Sequence, residues 1–180
     1  PRSPSQLPRE VPTRHRDCAP AARVPSVESW LLGCVHHVHC LRYAHENGCP
    51  LRGSECSDAA AGGHFECLRY AHENGCPLKG DECDSAARRG HLECFRYAHE
   101  HGCPLSGSEC RAAAACGHLE CVRYAHENGC SWRDTFTVAA MNGHLACMRY
   151  AVENGCRMDA LATAAAAEFG HVECLRFAHE

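Results

Sequence analysis

The feature that most constrains this chain is a period. His37, His64, His91, His118, His144 and His171 follow one another at intervals of 27, 27, 27, 26 and 27 residues. Around each lies a version of one string, which in full reads E-C-x-x-A-A-x-x-G-H-L-E-C-L-R-Y-A-H-E-N-G-C-P-L-x-G-(S/D). A fixed repeat of this length implies a stack of small units, each burying its apolar face against its neighbours. Architecture therefore comes before chemistry, even though a His and a Cys four residues apart in YAHENGC suggest metal or redox work.

Each unit carries two helical stretches. The first is expected to start at Ser54, Asp81, Ser108 or Asp134, whose side chains can accept backbone N–H bonds at a helix N-terminus. It runs through the pairs Ala59-Ala60, Ala86-Ala87, Ala113-Ala114, Ala139-Ala140 and Ala166-Ala167, and stops at Gly63, Gly90, Gly117, Gly143 or Gly170. Paired Ala residues favour helix, and their small side chains let neighbouring helices approach closely. The second stretch starts at the His and ends at Gly48, Gly75, Gly102, Gly129 or Gly155. Its buried stripe is illustrated by Leu92, Cys94, Phe95 and Ala98 at helical spacing. Arg and Glu four apart (Arg42/Glu46, Arg69/Glu73, Arg96/Glu100, Arg123/Glu127, Arg149/Glu153, Arg176/Glu180) predict exposed ion pairs. Pro50, Pro77 and Pro104 block continuation of the second helix.

These residues resemble the ankyrin repeat, whose pattern is T-P-L-H-x-A-A-x-x-G-H-x-x-x-V-x-x-L-L-x-x-G-A. The match lies in A-A-x-x-G-H, the apolar stripe of the second helix, and the closing Gly followed by a small residue (Cys49, Cys76, Cys103, Cys130, Cys156). The T-P-L-H tetrapeptide is lost: its His position holds Ser57, Asp84, Arg111, Thr137 and Ala164. The unit is also about six residues shorter than the usual ~33, and the shortfall falls where the family's β-hairpin finger projects. The resemblance implies an all-α helix-turn-helix solenoid with shortened or absent fingers. It covers 29–180 as about six units, the first degenerate (Ser29–Asn47) and the last truncated. Leucine-rich repeats have a compatible period, but their L-x-x-L-x-L-x-x-N core is missing.

Residues 1–28 differ, with Pro1, Pro4, Pro8, Pro12, Pro20 and Pro25 among scattered Arg and Ser. With no apolar periodicity, this Pro/Arg-rich segment is expected to be disordered. The chain begins at Pro1 and breaks off at Glu180 inside a repeat copy, so it reads as a fragment. Composition is that of an ordinary folded domain, 45% hydrophobic and 22% charged, and the net charge of −4 favours neither nucleic acid nor an anionic membrane. No membrane partner and no small-molecule substrate are expected.

The chain's 17 cysteines fit packed thiols better than a disulfide scaffold, because they recur at fixed helical positions. The expected location is intracellular, in the reduced cytoplasm or nucleus. Zinc is the sharper alternative: Cys67, His72, Cys76 and Cys83 recur as Cys40/His45/Cys49/Cys56 and Cys94/His99/Cys103/Cys110. Two arguments weigh against a zinc- or redox-responsive domain. Cys67 and His72 are about 140° apart around a helix, and Phe136, Thr163 and Val152 replace would-be ligands in later units. No metal and no cofactor are expected. Nor is catalysis, since every Cys–His combination repeats where an active site should be unique, and no nucleotide-binding or nucleophile-elbow pattern occurs. The His64, His91, His118 and His144 series reads as hydrogen bonding between units. Cys116, out of register, is expected to be exposed.

Positions that refuse to repeat are free for other work. They flank the Ala pairs of the first helix, the helix that the ankyrin resemblance puts on a concave binding surface. The candidate partner-binding residues there are Asp84, Arg88, Arg89, Arg111, Met141, Asn142 and Phe169, which mix charge with apolar bulk. The function expected is a non-catalytic scaffold or adaptor that binds another protein.

Overall fold

The computed structural model describes residues 37–51 and 53–179. The expectation for residues 1–28, most of the degenerate first unit, and the Arg176/Glu180 pair lie outside the described residues. The helices are α1 (Val38–Glu46), α2 (Ser54–Gly62), α3 (Phe65–Glu73), α4 (Glu82–Arg89), α5 (Leu92–Glu100), α6 (Glu109–Ala115), α7 (Leu119–Glu127), α8 (Thr135–Met141), α9 (Leu145–Glu153), α10 (Ala160–Glu168) and α11 (Val172–His179). Even-numbered elements are the first helices of each unit and odd-numbered elements the second. Among the described residues there is no strand, so the short Pro-Leu connections are plain turns.

Each first helix packs on its partner second helix and on the first helices of the adjacent units, whereas successive second helices touch much less. Alanine explains the difference. The Ala59-Ala60, Ala86-Ala87, Ala113-Ala114 and Ala139-Ala140 pairs are wholly buried, and their lack of bulk lets the backbones close up. A stack whose rows differ in spacing bends toward the closer row. Between the rows runs one core, in which each second helix supplies a Cys, a larger apolar residue and an Ala: Cys67, Leu68 and Ala71, then Cys94, Phe95 and Ala98.

The helix stops follow the sequence. In the second helices Asn74 Nδ2 donates to Tyr70 O at 2.8 Å, Gly75 takes φ +89°, and Cys76 N donates back to Ala71 O at 3.0 Å. This is the glycine-terminated closure that satisfies carbonyls at a helix end. The first helices close alike, with His91 N bonded to Ala86 O at 2.9 Å. There the histidine ring also meets the preceding unit. An added Cβ on Gly117, φ +78°, would lie 2.6 Å from His144 Nδ1, and His144 Nε2 donates to Ala115 O at 3.2 Å. The expected hydrogen bonding of this histidine series between units is present here.

The starts of the first helices differ from expectation. Ser54, Asp81, Ser108 and Asp134 make no side-chain capping bond. The next residue does the work instead. Glu82, fully buried, accepts from Lys79 N at 3.1 Å, from Gly80 N at 2.9 Å and from the Ser57 hydroxyl of the preceding unit at 3.0 Å. Glu109 accepts likewise from Ser106 N and Gly107 N, both at 2.9 Å. In α8, where Thr135 replaces the glutamate, Asp134 still does not cap, whereas in α10 Asp159 caps conventionally, accepting from Ala162 N at 2.8 Å.

The Arg/Glu pairs are also rearranged. Among the described residues only Arg96–Glu100 forms as expected, at 4.0 Å, while Arg69, Arg123 and Arg176 turn back three residues to Glu66, Glu120 and Glu173. Several of these arginines also lie over an aromatic ring of the following unit, Arg42 over Tyr70, Arg96 over Tyr124, Arg123 over Tyr150 and Arg149 over Phe177, at 5.2–5.7 Å from the ring centres.

Candidate protein-binding surface

The first helices present two edges. At their N-terminal edge the non-repeating side chains are tied to the next unit. Ser57 Oγ donates to Asp81 at 3.1 Å, Ser108 Oγ to Asp84 at 3.0 Å, Arg111 Nε to Asp134 at 3.1 Å and Thr137 Oγ1 to Asp159 at 2.7 Å. The residues vary, but each slot keeps the same task of bridging the step between units. Asp84 and Arg111, read from the sequence as partner-binding candidates, are therefore occupied with the stack. Each of these exposed contacts contributes little singly, on the order of 0.2–1 kcal/mol.

At the C-terminal edge a line of side chains runs along the stack with almost no such ties. Arg88 and Arg89 of α4 are exposed, as are Cys116 after α6, Met141 at the end of α8 and Glu168 and Phe169 at the end of α10. Arg88 bridges to Asp84 at 3.0 Å on its own helix, with its guanidinium still half in solvent. Asn142, exposed, bonds to its own helix end, its Nδ2 donating to Val138 O at 2.9 Å. Met141 at 38% and Phe169 at 54% expose apolar bulk that no neighbour covers. The structure thus brings Arg88, Arg89, Met141 and Phe169 onto one edge, while Asp84, Arg111 and Asn142 make hydrogen bonds within the stack.

The cysteine–histidine sets do not converge. Among the described residues no group of three His, Cys, Asp or Glu side chains could hold a metal ion. Cys67 sits in the core, and His72 points across the stack so that its Nδ1 meets the Tyr97 hydroxyl at 3.0 Å. The same contact recurs from His45 to Tyr70 at 3.0 Å and from His99 to Tyr124 at 2.9 Å. It ends at His126, which stacks on Trp132 at 4.1 Å. Trp132 belongs to the shortened linker of the 26-residue step, where Arg133 takes φ +36° and Thr135 Oγ1 is buried without a partner.

The described cysteines are free thiols. Burial pushes the Cys94, Cys121 and Cys147 thiols up to about 11, so they stay protonated and act as small apolar fillers. Cys56, Cys83 and Cys110 are held in the thiol form by hydrogen bonding to Cys76, Cys103 and Cys130, and next by burial. Cys56 Sγ also donates to Cys76 O at 3.7 Å. Cys116 alone among the thiols of the first helices' end turns is exposed, as its position out of register implies.

Sequence reasoning missed two sets of structural residues. The buried glutamates Glu55, Glu82 and Glu109 carried a signal in their recurrence directly after the cap position of three successive units. The His–Tyr rungs carried only the repetition of both residues, since their partners are 25 residues apart.

No protein-family model matches the chain, and no curated protein matches it by sequence. Its structure is similar to the crystal structure of the human ASB11 ankyrin repeat domain, with a TM-score of 0.73 at 19% identity, over 87% of this chain and 83% of that one. No helix among the described residues is long and apolar enough to cross a membrane. The repeated helix pairs, the all-helical stack and this likeness together establish that the chain has the ankyrin-repeat fold, built from short units.

Proposed function

We propose that the chain is a non-catalytic module that binds another protein through the C-terminal edge of its first helices. The observation carrying this reading is the line of exposed, non-repeating side chains (Arg88, Arg89, Cys116, Met141 and Phe169) beside positions committed to the stack. Arginine and exposed apolar bulk are the side chains that anchor interfaces. The closer spacing of the first helices supports placing this edge on the inner side of a curved stack, the extended surface that solenoids offer to partners. The partner expected is a protein with a mixed acidic and apolar surface. Thiols that are free and buried support a reducing compartment.

The test is affinity capture with the wild-type chain beside an Arg88→Glu/Arg89→Glu variant and an Arg149→Glu control on the second-helix side. Arg111 is left alone because its reversal would break the ion pair with Asp134. Proteins retained by the wild type and the control but lost by the double variant support the reading. Equal retention by all three refutes it.

A further inference from the structure

Two departures from the repeat of the second helices fall close together in the structure. Phe65 opens α3 where Leu92, Leu119, Leu145 and Val172 open the later second helices, and His101 closes α5 where Asn47, Asn74, Asn128 and Asn154 close the others. The two irregularities meet at Tyr97. Its ring faces Phe65 edge-on at 5.7 Å and stacks on His101 at 4.0 Å, while its hydroxyl is held by His72 at 3.0 Å. An open cleft of about 230 Å³ lies there between α3 and α5, lined by Phe65, Glu93, Arg96, Tyr97 and Glu100.

The charges around this cleft are irregular as well. Glu66, Glu120 and Glu173 each pair with the Arg three residues on. Arg96 instead turns forward to Glu100 at 4.0 Å and over Tyr124 at 5.7 Å. Among the described residues this leaves Glu93 without an ion-pair partner, on the wall of an aromatic cleft. Arg69, tied to Glu66, already lies over the Phe65 ring at 5.7 Å, which shows that a guanidinium fits against this surface. An uncompensated carboxylate beside aromatic faces is the chemistry that takes a cation: the carboxylate supplies charge, and the rings supply quadrupole attraction and apolar contact.

We propose that this cleft receives an arginine side chain of a partner protein, with Glu93 as its charge partner and Phe65 and Tyr97 as its aromatic walls. The site lies on the second-helix side, separate from the edge carrying Arg88, Arg89, Met141 and Phe169, and does not depend on the reading of that edge. Glu100 is already shared with Arg96, so Glu93 carries the recognition of charge. Phe65 carries the selectivity for this step of the stack, because the equivalent steps have only leucine or valine there.

The experiment is an NMR titration of the ¹⁵N-labelled full chain with N-acetyl-arginine methylamide, and in parallel with its uncharged citrulline analogue. Saturable shifts confined to the amides around Phe65, Glu93 and Tyr97 are expected with arginine, and binding at least threefold weaker with citrulline. Phe65→Leu installs the residue found in three other units and so preserves the fold. It and Glu93→Gln are each expected to weaken arginine binding about threefold. Absence of shifts at these amides, shifts spread over the glutamates of every second helix, an equal response to citrulline, or affinity unchanged by both variants would each overturn the proposal.

Discussion

The repeated string YAHENGC and the edge between its copies divide the labour of the molecule. In the string the histidine, the asparagine and the final cysteine have partners within the stack. The histidine reaches the tyrosine of the next copy, as His72 to Tyr97 at 3.0 Å. The asparagine closes its own helix, as Asn128 to Tyr124 O at 2.8 Å. The final cysteine, buried in Cys76 and Cys103, fills the step between units. At the C-terminal edge of the first helices the side chains differ from unit to unit, and Arg89, Met141 and Phe169 extend into solvent. Identity between units marks contacts that must be made at every step, and variety marks surface the stack does not use. The N-terminal edge qualifies this rule: Ser57, Asp84, Arg111 and Thr137 vary in type while doing one job, because many polar pairs can bridge the same gap.

The comparison can be broken in order of expected effect. Glu82→Ala should cost the most, about 3 kcal/mol in chemical denaturation, since it removes the buried carboxylate that accepts from Lys79 N, Gly80 N and the Ser57 hydroxyl at once. Gly117→Ala should cost about 2–3 kcal/mol, combining a left-handed backbone with displacement of the His144 ring. Gly129→Ala, at φ +89° with nothing within 4 Å of the added methyl, should cost only about 1 kcal/mol. If the two glycine variants prove equal, the histidine contact contributes nothing. Tyr97→Phe removes one rung of the ladder and should cost about 1 kcal/mol.

The smallest effect concerns pH. Burial, then the neighbouring His91 and His144, hold the His118 imidazole below its ordinary value of 6.5. The unfolded chain therefore takes up a proton there before the folded chain does. This contribution to stability is present above about pH 6.5 and is lost as the pH falls through and below it. Unfolding free energies measured at about pH 7 and about pH 5 should fall with acid, and fall less in His118→Asn.

Much of this was legible in the sequence, because the features that recur are local. The Ala pairs, the glycine stops and the buried cysteines each act within one helix or at its end, and the exposed Cys116 announced itself by breaking register. Three features were not legible, for physical reasons. A glutamate after a cap residue reads as an exposed favourable charge at a helix start. Its burial depends on how the preceding turn folds its N–H groups inward, at Gly80 and Lys79 in the case of Glu82. Arg69 had Glu73 and Glu66 at comparable spacing, and helical spacing alone does not choose between a partner three residues back and one four residues on. Asp84 and Arg111 looked free because their partners Ser108 and Asp134 lie in the following unit.

One paired measurement tests the division between string and edge most directly. Urea unfolding would be compared for the parent, for a triple variant of the string (Tyr70→Phe, Tyr97→Phe, Tyr124→Phe) and for a triple variant of the edge (Arg89→Ser, Met141→Ser, Phe169→Ser). The string variant should lose about 2–3 kcal/mol, because three half-buried rungs are cut and well-separated losses add. The edge variant should stay within about 0.5 kcal/mol of the parent. An edge variant destabilised as much as the string variant, or a string variant as stable as the parent, would contradict the division.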